Sequence, residues 1–207
     1  ITEPDEYGGY LMNRLKRIKE IMSVTENIYW INQYANPLNA SAYYNSLGKE
    51  ICMEIPRQRL DYLFMGVSSG GTITGVSQKV KEEYPESKII AVDVEGSVIF
   101  GGKAHKRFIP GIGSSLRPSI LNEAHIDDVV TVNEEETISS CRELLEHHNL
   151  YAGGSSGSVY AAVKKYFREN PVDQQVNIMC VFADRGERYI TTIFDDKWCE
   201  MIKQFNI

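Results

Sequence analysis

The sequence predicts a doubly wound α/β fold built on a mostly parallel sheet, and three observations carry that prediction. Short apolar runs recur at Tyr62–Val67, Ile89–Val92, Val129–Val132 and Val176–Phe182, and most are continuous rather than alternating. Continuous runs suit strands covered on both faces. Helical patterns separate the runs, at about 71–83, 134–148, 156–169 and 195–204, and strands alternating with helices imply crossovers on both faces of one sheet. Finally, 207 residues with 43% hydrophobic content can bury a core of ordinary domain size.

The segment before the first run has a different character. From Tyr10 to Val24 the residues Leu11, Leu15, Ile18 and Met22 form one stripe, the signature of a helix packed on one side. Ile28–Ile31 is a short apolar run, and Asn32–Asn39 is polar and broken by Pro37, which predicts a loop between units. A less regular helix is expected over Ala40–Met53. Ile1 opens no recognisable element and is not a methionine, so a preceding segment is expected.

Composition narrows the function classes. Twenty-two Lys and Arg against 28 Asp and Glu give a net charge of -6, which disfavours a nucleic-acid partner. No apolar stretch is long enough for a bilayer and none resembles a secretion signal, so a cytoplasmic protein is expected. Cys52, Cys141, Cys180 and Cys199 are widely spaced, indicating reduced structural thiols rather than a zinc site or a disulfide framework. His105, His125, His147 and His148 lack partners at metal-ligand spacing, and no metal is expected.

The first run leads directly into Ser68, Ser69, Gly70, Gly71 and Thr72, followed by a helix. A helix N-terminus beyond the carboxyl end of a parallel strand offers unpaired N–H groups and the positive end of a dipole. Glycines allow close approach, and hydroxyls add donors, so the predicted guest is a phosphate. Neither a Gly-Lys-Ser/Thr nor a Gly-x-Gly-x-x-Gly pattern is present, which weakens nucleotide readings. A second cluster, Ala152–Ser158, precedes another helix and by itself reads as an N-cap.

Taken in order, Asn32–Pro37, Ser68–Gly75, Pro110–Gly113, Ala152–Gly157 and Asp184–Tyr189 resemble the pyridoxal-phosphate enzymes of the cysteine synthase and cystathionine β-synthase family. The resemblance covers essentially the whole chain. It implies a fold-type II enzyme, incomplete at its N-terminal side, in which residues 1–33 end the smaller substrate domain and 34–207 form the C-terminal part of the larger cofactor domain. It also implies pyridoxal 5'-phosphate as cofactor. Its phosphate would sit on Ser68–Thr72, its ring would face Gly111, and its pyridine nitrogen would meet Ser155. A hydroxyl there cannot hold the nitrogen protonated as a carboxylate would, so the ring is a weaker electron sink and β-elimination is favoured over transamination. The aminoacrylate so formed then awaits a nucleophile. Where the family cradle opens Gly-Thr, this chain has Ser68 and Ser69, which could leave a hydroxyl facing substrate. Asp184–Tyr189 reads as a structural turn.

Gln33 matches the family's substrate-carboxylate glutamine. The family's Schiff-base lysine stands upstream in a Ser-x-Lys context that none of the 12 lysines here occupies, so no catalytic residue is expected in this chain. By the resemblance, roughly 100 residues or more precede Ile1. Gly8–Arg14, Tyr29–Tyr34 and Gly96–Gly101 resemble one branch in particular, N-(2-amino-2-carboxyethyl)-L-glutamate synthase. That implies β-replacement on O-phospho-L-serine by L-glutamate, for siderophore or antibiotic precursors, in a homodimer. Such a reaction needs positive charge for a phosphate and carboxylates, and Arg14 is the first candidate, with a solvated helix-face arginine as the plain alternative, while Tyr34 and Ser68 are further substrate-side candidates. Two other functions stay open: a cysteine synthase using sulfide, and a degenerate binding protein without catalysis.

Overall fold

A computed structural model describes residues 1–6, 9–55 and 59–205. Gly8, part of the expected turn before Arg14, lies outside the described residues. Four strands, β1 (Tyr62–Gly66), β2 (Lys88–Val94), β3 (Asp128–Val132) and β4 (Ile178–Cys180), form one sheet in the order β3-β2-β1-β4, with every pairing parallel. The expected α/β class and parallel sheet are therefore present. In register, Leu63 lies beside Ile89 and Met179, and Ile90 beside Asp128.

Both sheet faces are covered, which is why the strands read as continuous apolar runs. Leu63, Met65, Ile89 and Ala91 point to one face, where Ile73, Val76 and Val80 of α4 (Gly71–Glu83) meet them. On the opposite face, Phe64, Ile90 and Val92 pack against Val159, Ala162 and Tyr166 of α6 (Gly154–Glu169). Tyr62, Phe64, Tyr166 and Phe167 meet edge to face or tilted, with ring centroids 5.0–6.4 Å apart. Aromatic pairs in that geometry add about 0.5–1.5 kcal/mol each beyond area burial.

The helix α5 (Glu134–His148) lies against α6 and keeps the bounds read from its pattern. Asn133 and Glu136 close a reciprocal capping box at its start, and Asn149, at φ 54°, ends it in the left-handed region. α6 approaches it closely at Gly157, where a Cβ would stand 2.2 Å from the Cys141 sulfur. Burial pushes the Cys141 thiol up to about 12 and the Cys180 thiol up to about 11, so both stay protonated at neutral pH.

Four expectations change in detail. The single helix expected over 40–53 is instead α2 (Pro37–Tyr43), a π-helical turn (Tyr44–Gly48) and α3 (Lys49–Glu54). α2 starts three residues early because the Asn36 side chain accepts from the Leu38 N–H at 3.0 Å and Pro37 takes the first helical position. The run at 176–182 pairs only over three residues, and among the described residues β4 has β1 as its neighbour. The last helix, α7, spans Asp196–Phe205. α1 (Leu11–Val24) forms as its stripe predicts but buries none of its residues.

Candidate functional site

The sheet order places a reversal between β1 and β4: the chain runs outward through β2 and β3, then returns to the other side of β1. In open parallel sheets that switch point is where a crevice opens beyond the strand ends. A cleft of about 210 Å³ opens there, floored by Met65, Gly66 and Val67 at the end of β1 and by Val181 and Ala183 after β4.

Ser68, Ser69, Gly70 and Thr72 line one wall of the cleft. Gly70 has φ 87°, the left-handed conformation glycine tolerates, and a Cβ there would come within 2.8 Å of Leu121. It is also the N-cap of α4, with no side-chain cap bond, so the first N–H groups of that helix are left for another acceptor. Gly71 is fully packed: a Cβ on it would meet the Asn39 amide at 2.3 Å. Asn39 donates to the Gln33 carbonyl at 2.8 Å, which ties the Asn32–Asn39 segment to the start of α4.

Ser155 stands across the cleft in the first turn of α6, 8% exposed, with Val159 one turn further on. The expected capping role of the Ala152–Ser158 cluster is replaced. Gly153 is the N-cap without a side-chain bond, and the serines lie inside the helix. Ser158 donates to the Gly154 carbonyl at 3.2 Å and meets the Thr137 hydroxyl at 2.8 Å, while Ser156 donates to the Asp184 carbonyl at 3.3 Å. Asp184–Tyr189 is a turn that clamps this helix start. Gly153 N–H donates to the Asp184 carbonyl at 3.0 Å, and Tyr189 donates to the Asp184 carboxylate at 2.8 Å. Burial first, then that bond, pushes the Tyr189 phenol up to about 12.

Gly111 closes the cleft on a third side, at φ 95° with open space where a side chain would be. Its loop is pinned to β1, for Gly113 N–H donates to the Val67 carbonyl at 2.8 Å and Ser68 donates to the Gly113 carbonyl at 3.1 Å. The Ser68 hydroxyl thus donates across to the Gly111 loop.

The remaining candidates lie elsewhere. Arg14 is exposed on α1, with Nε donating to the Tyr10 carbonyl at 3.4 Å, and it does not line the cleft. Gln33 is exposed, and Tyr34 is half-buried with its carbonyl accepting from Ile120 N–H at 3.1 Å and from Ser119 at 3.3 Å. Neither lines the cleft. Sequence reasoning missed Ile73, Val159, Val181 and Ala183 as cleft residues. The last two follow from the switch-point rule, but only once the strand order is known.

The residues fit a phosphorylated pyridine. An uncapped helix start with the Ser69 and Thr72 hydroxyls beside it suits a dianion, apolar Val159 and Val181 suit a ring, and Ser155 can meet a ring nitrogen. No lysine lines the cleft.

The model of one family, described as pyridoxal-phosphate dependent enzyme, matches residues 3–184. Among solved structures, an O-acetylserine dependent cystathionine β-synthase from Helicobacter pylori is similar at 31% identity and TM-score 0.77, covering 86% of this chain and 57% of its own. A hydrogen sulfide-producing enzyme from Fusobacterium nucleatum matches at 25% identity and TM-score 0.75, over 84% of this chain and 59% of its own. An O-ureido-L-serine synthase matches at 25% identity and TM-score 0.75, over 95% and 62%. The chain therefore spans less than two thirds of each of these proteins. No helix among the described residues is long and apolar enough to cross a membrane. With the cleft at the switch point and the family model over most of its length, the chain belongs to the pyridoxal-phosphate dependent enzymes, of fold type II.

Proposed function

We propose that the whole protein carries out β-replacement on O-phospho-L-serine with L-glutamate as nucleophile, releasing phosphate and giving N-(2-amino-2-carboxyethyl)-L-glutamate. The observation that carries the β-replacement class is Ser155, a neutral hydroxyl across the cleft from the Ser68–Thr72 cradle. Bound pyridoxal phosphate supplies an electron sink for breaking bonds at the substrate's α and β carbons. Ser69, Thr72 and the α4 N–H groups would hold its phosphate, with Gly70 and Gly71 giving the backbone its close approach. Ser155 would accept or donate at the ring nitrogen without forcing a positive charge there, which keeps the sink weak and suits departure of a β-substituent.

The substrate pair rests on the resemblance of Gly8–Arg14, Tyr29–Tyr34 and Gly96–Gly101 to the glutamate-using branch. Gln33 is proposed at the substrate carboxylate, Arg14 at an anionic substrate group, and Tyr34 on the substrate side. The proton-moving lysine is proposed to lie in the part of the protein before Ile1, and residues 1–33 to belong to a smaller domain completed there. A cytoplasmic homodimer is the proposed assembly.

Full-length protein loaded with cofactor tests the reading. O-phospho-L-serine with L-glutamate should release phosphate and yield the coupled amino acid, identified by mass. Efficient cysteine formation from O-phospho-L-serine and sulfide, with no glutamate adduct, would make the protein a cysteine synthase instead.

A further inference from the structure

Beside the Gly111 loop lies a second cavity of about 190 Å³, walled by Gly9, His105, Arg107 and Ser115 together with the backbone at 109–113. Gly111 belongs to both cavities, so this one adjoins the cofactor cleft directly. The position at Gly111 is open, with nothing within 4 Å of a Cβ.

Arg107 is half-buried, and its one hydrogen bond among the described residues runs from a terminal nitrogen to the Gly96 carbonyl. A guanidinium has five N–H donors, so most of the fork is left for another acceptor. Three carboxylates act on Arg107 electrostatically: Asp93, Asp5 and Glu134. Each of them already accepts backbone N–H groups. Asp93 takes Val94 at 2.9 Å, Asp5 takes Gly9 and Met12 at 3.0 Å, and Glu134 takes Phe108 and Ile109. Ser115 is 5% exposed and lines the same cavity.

From this geometry we infer that Arg107 and Ser115 form a subsite for the distal anionic group, carboxylate or phosphate, of an amino-acid substrate seated at the cofactor. The planar fork of arginine matches either group with paired, charge-assisted bonds, and partial burial strengthens them. The identity of that anion rests on the proposed reaction, whose two substrates carry one such arm each: the phosphate of O-phospho-L-serine and the side-chain carboxylate of L-glutamate. An amino acid at the cleft would extend its arm past the open edge at Gly111.

The test uses the full-length protein and its Arg107→Gln, Arg107→Lys and Ser115→Ala variants. Inorganic phosphate and glutarate are titrated calorimetrically into the cofactor-loaded protein, whose Ser68–Thr72 cradle is then filled, and KM for each substrate is measured separately from kcat. Wild type should bind at least one probe. Arg107→Gln should weaken it by about 10-fold or more, as expected for losing charge-assisted bonds. KM for the matching substrate should rise by a similar factor, with kcat and the other KM within about 2-fold, and Arg107→Lys should fall between. Loss confined to phosphate assigns the leaving-group arm; loss confined to glutarate assigns the nucleophile.

Probe binding and both KM values unchanged in Arg107→Gln, or no probe bound by wild type, overturns the subsite. So does an effect seen only as a lower melting temperature. If Arg107→Gln does not fold, Ser115→Ala and Arg107→Lys decide by the same criteria. Arginine-dependent probe binding with no glutamate adduct in wild type would reject the proposed reaction and keep the subsite. An adduct formed with Arg107-independent binding would do the reverse.

Discussion

Gly75→Ala is expected to lower stability by about 3 kcal/mol, near the upper range for overpacking a well-filled contact. Gly75 lies on the buried side of α4, where α2 crosses it, and the added Cβ would stand 2.0 Å from the Ala40 carbonyl oxygen and 2.6 Å from the Tyr44 amide nitrogen. Both are backbone atoms, so no side chain can turn aside. The helices would have to separate, and with them the Asn39 tie that fixes the start of α4. In a thermal melt the full-length protein should lose roughly 6–12 °C, given the usual 2–4 °C per kcal/mol for domains of this size. A melting point within about 1 °C of wild type would mean that α2 and α4 do not pack this closely.

Gly70→Ala should act on the cradle itself. The residue holds φ 87°, where an L side chain costs about 1–2 kcal/mol, and its Cβ would press against Leu121 at 2.8 Å and Ile120 at 3.0 Å. Relief of either strain rotates the peptide at the helix start and misdirects the N–H groups proposed to receive phosphate. Cofactor affinity, followed by equilibrium dialysis, should therefore fall by about 10-fold or more, as expected when charge-assisted bonds are misaligned. Gly101→Ala is the control, for it too has a positive φ, 89°, yet meets nothing within 4 Å and lies outside the cleft. Backbone strain without loss of cofactor affinity is expected there.

Much of this architecture was legible in the sequence because local and tertiary signals agree. α4 and α5 begin and end where their apolar periodicity and flanking residues indicate, and strands buried on both faces read as plain apolar runs. Legibility failed where the deciding partner is remote or the signal mixed. The extent of β4 is set by pairing with β1 more than a hundred residues earlier, as the Asn177 to Asp61 bond with a separation of 116 illustrates. The π-helical turn at Tyr44–Gly48 interrupts a segment whose pattern was already irregular.

The candidate site divides in the same way. Ser68–Thr72 announced itself as a strand-to-helix glycine turn, while Gly111 and Ser155 were reached only through family resemblance; the fold brings all three to one cleft. Arg14 drew notice as a charge after a glycine pair, yet it sits exposed on a helix that buries nothing. Arg107 drew none, because its setting arises from the Gly111 loop and the Ser97–Ser114 contacts that shape it, none of which leaves a mark in sequence spacing.

The central claim is that the cleft between β1 and β4 holds the cofactor with its phosphate at the start of α4. The most direct measurement is a crystal structure of the full-length protein with pyridoxal phosphate bound. The phosphate should accept hydrogen bonds from the Gly71 and Thr72 N–H groups and from at least one hydroxyl of Ser69 or Thr72, with Ser155 at the ring nitrogen. A phosphate bound away from the α4 start, or a ring nitrogen facing any group other than Ser155, would contradict the account.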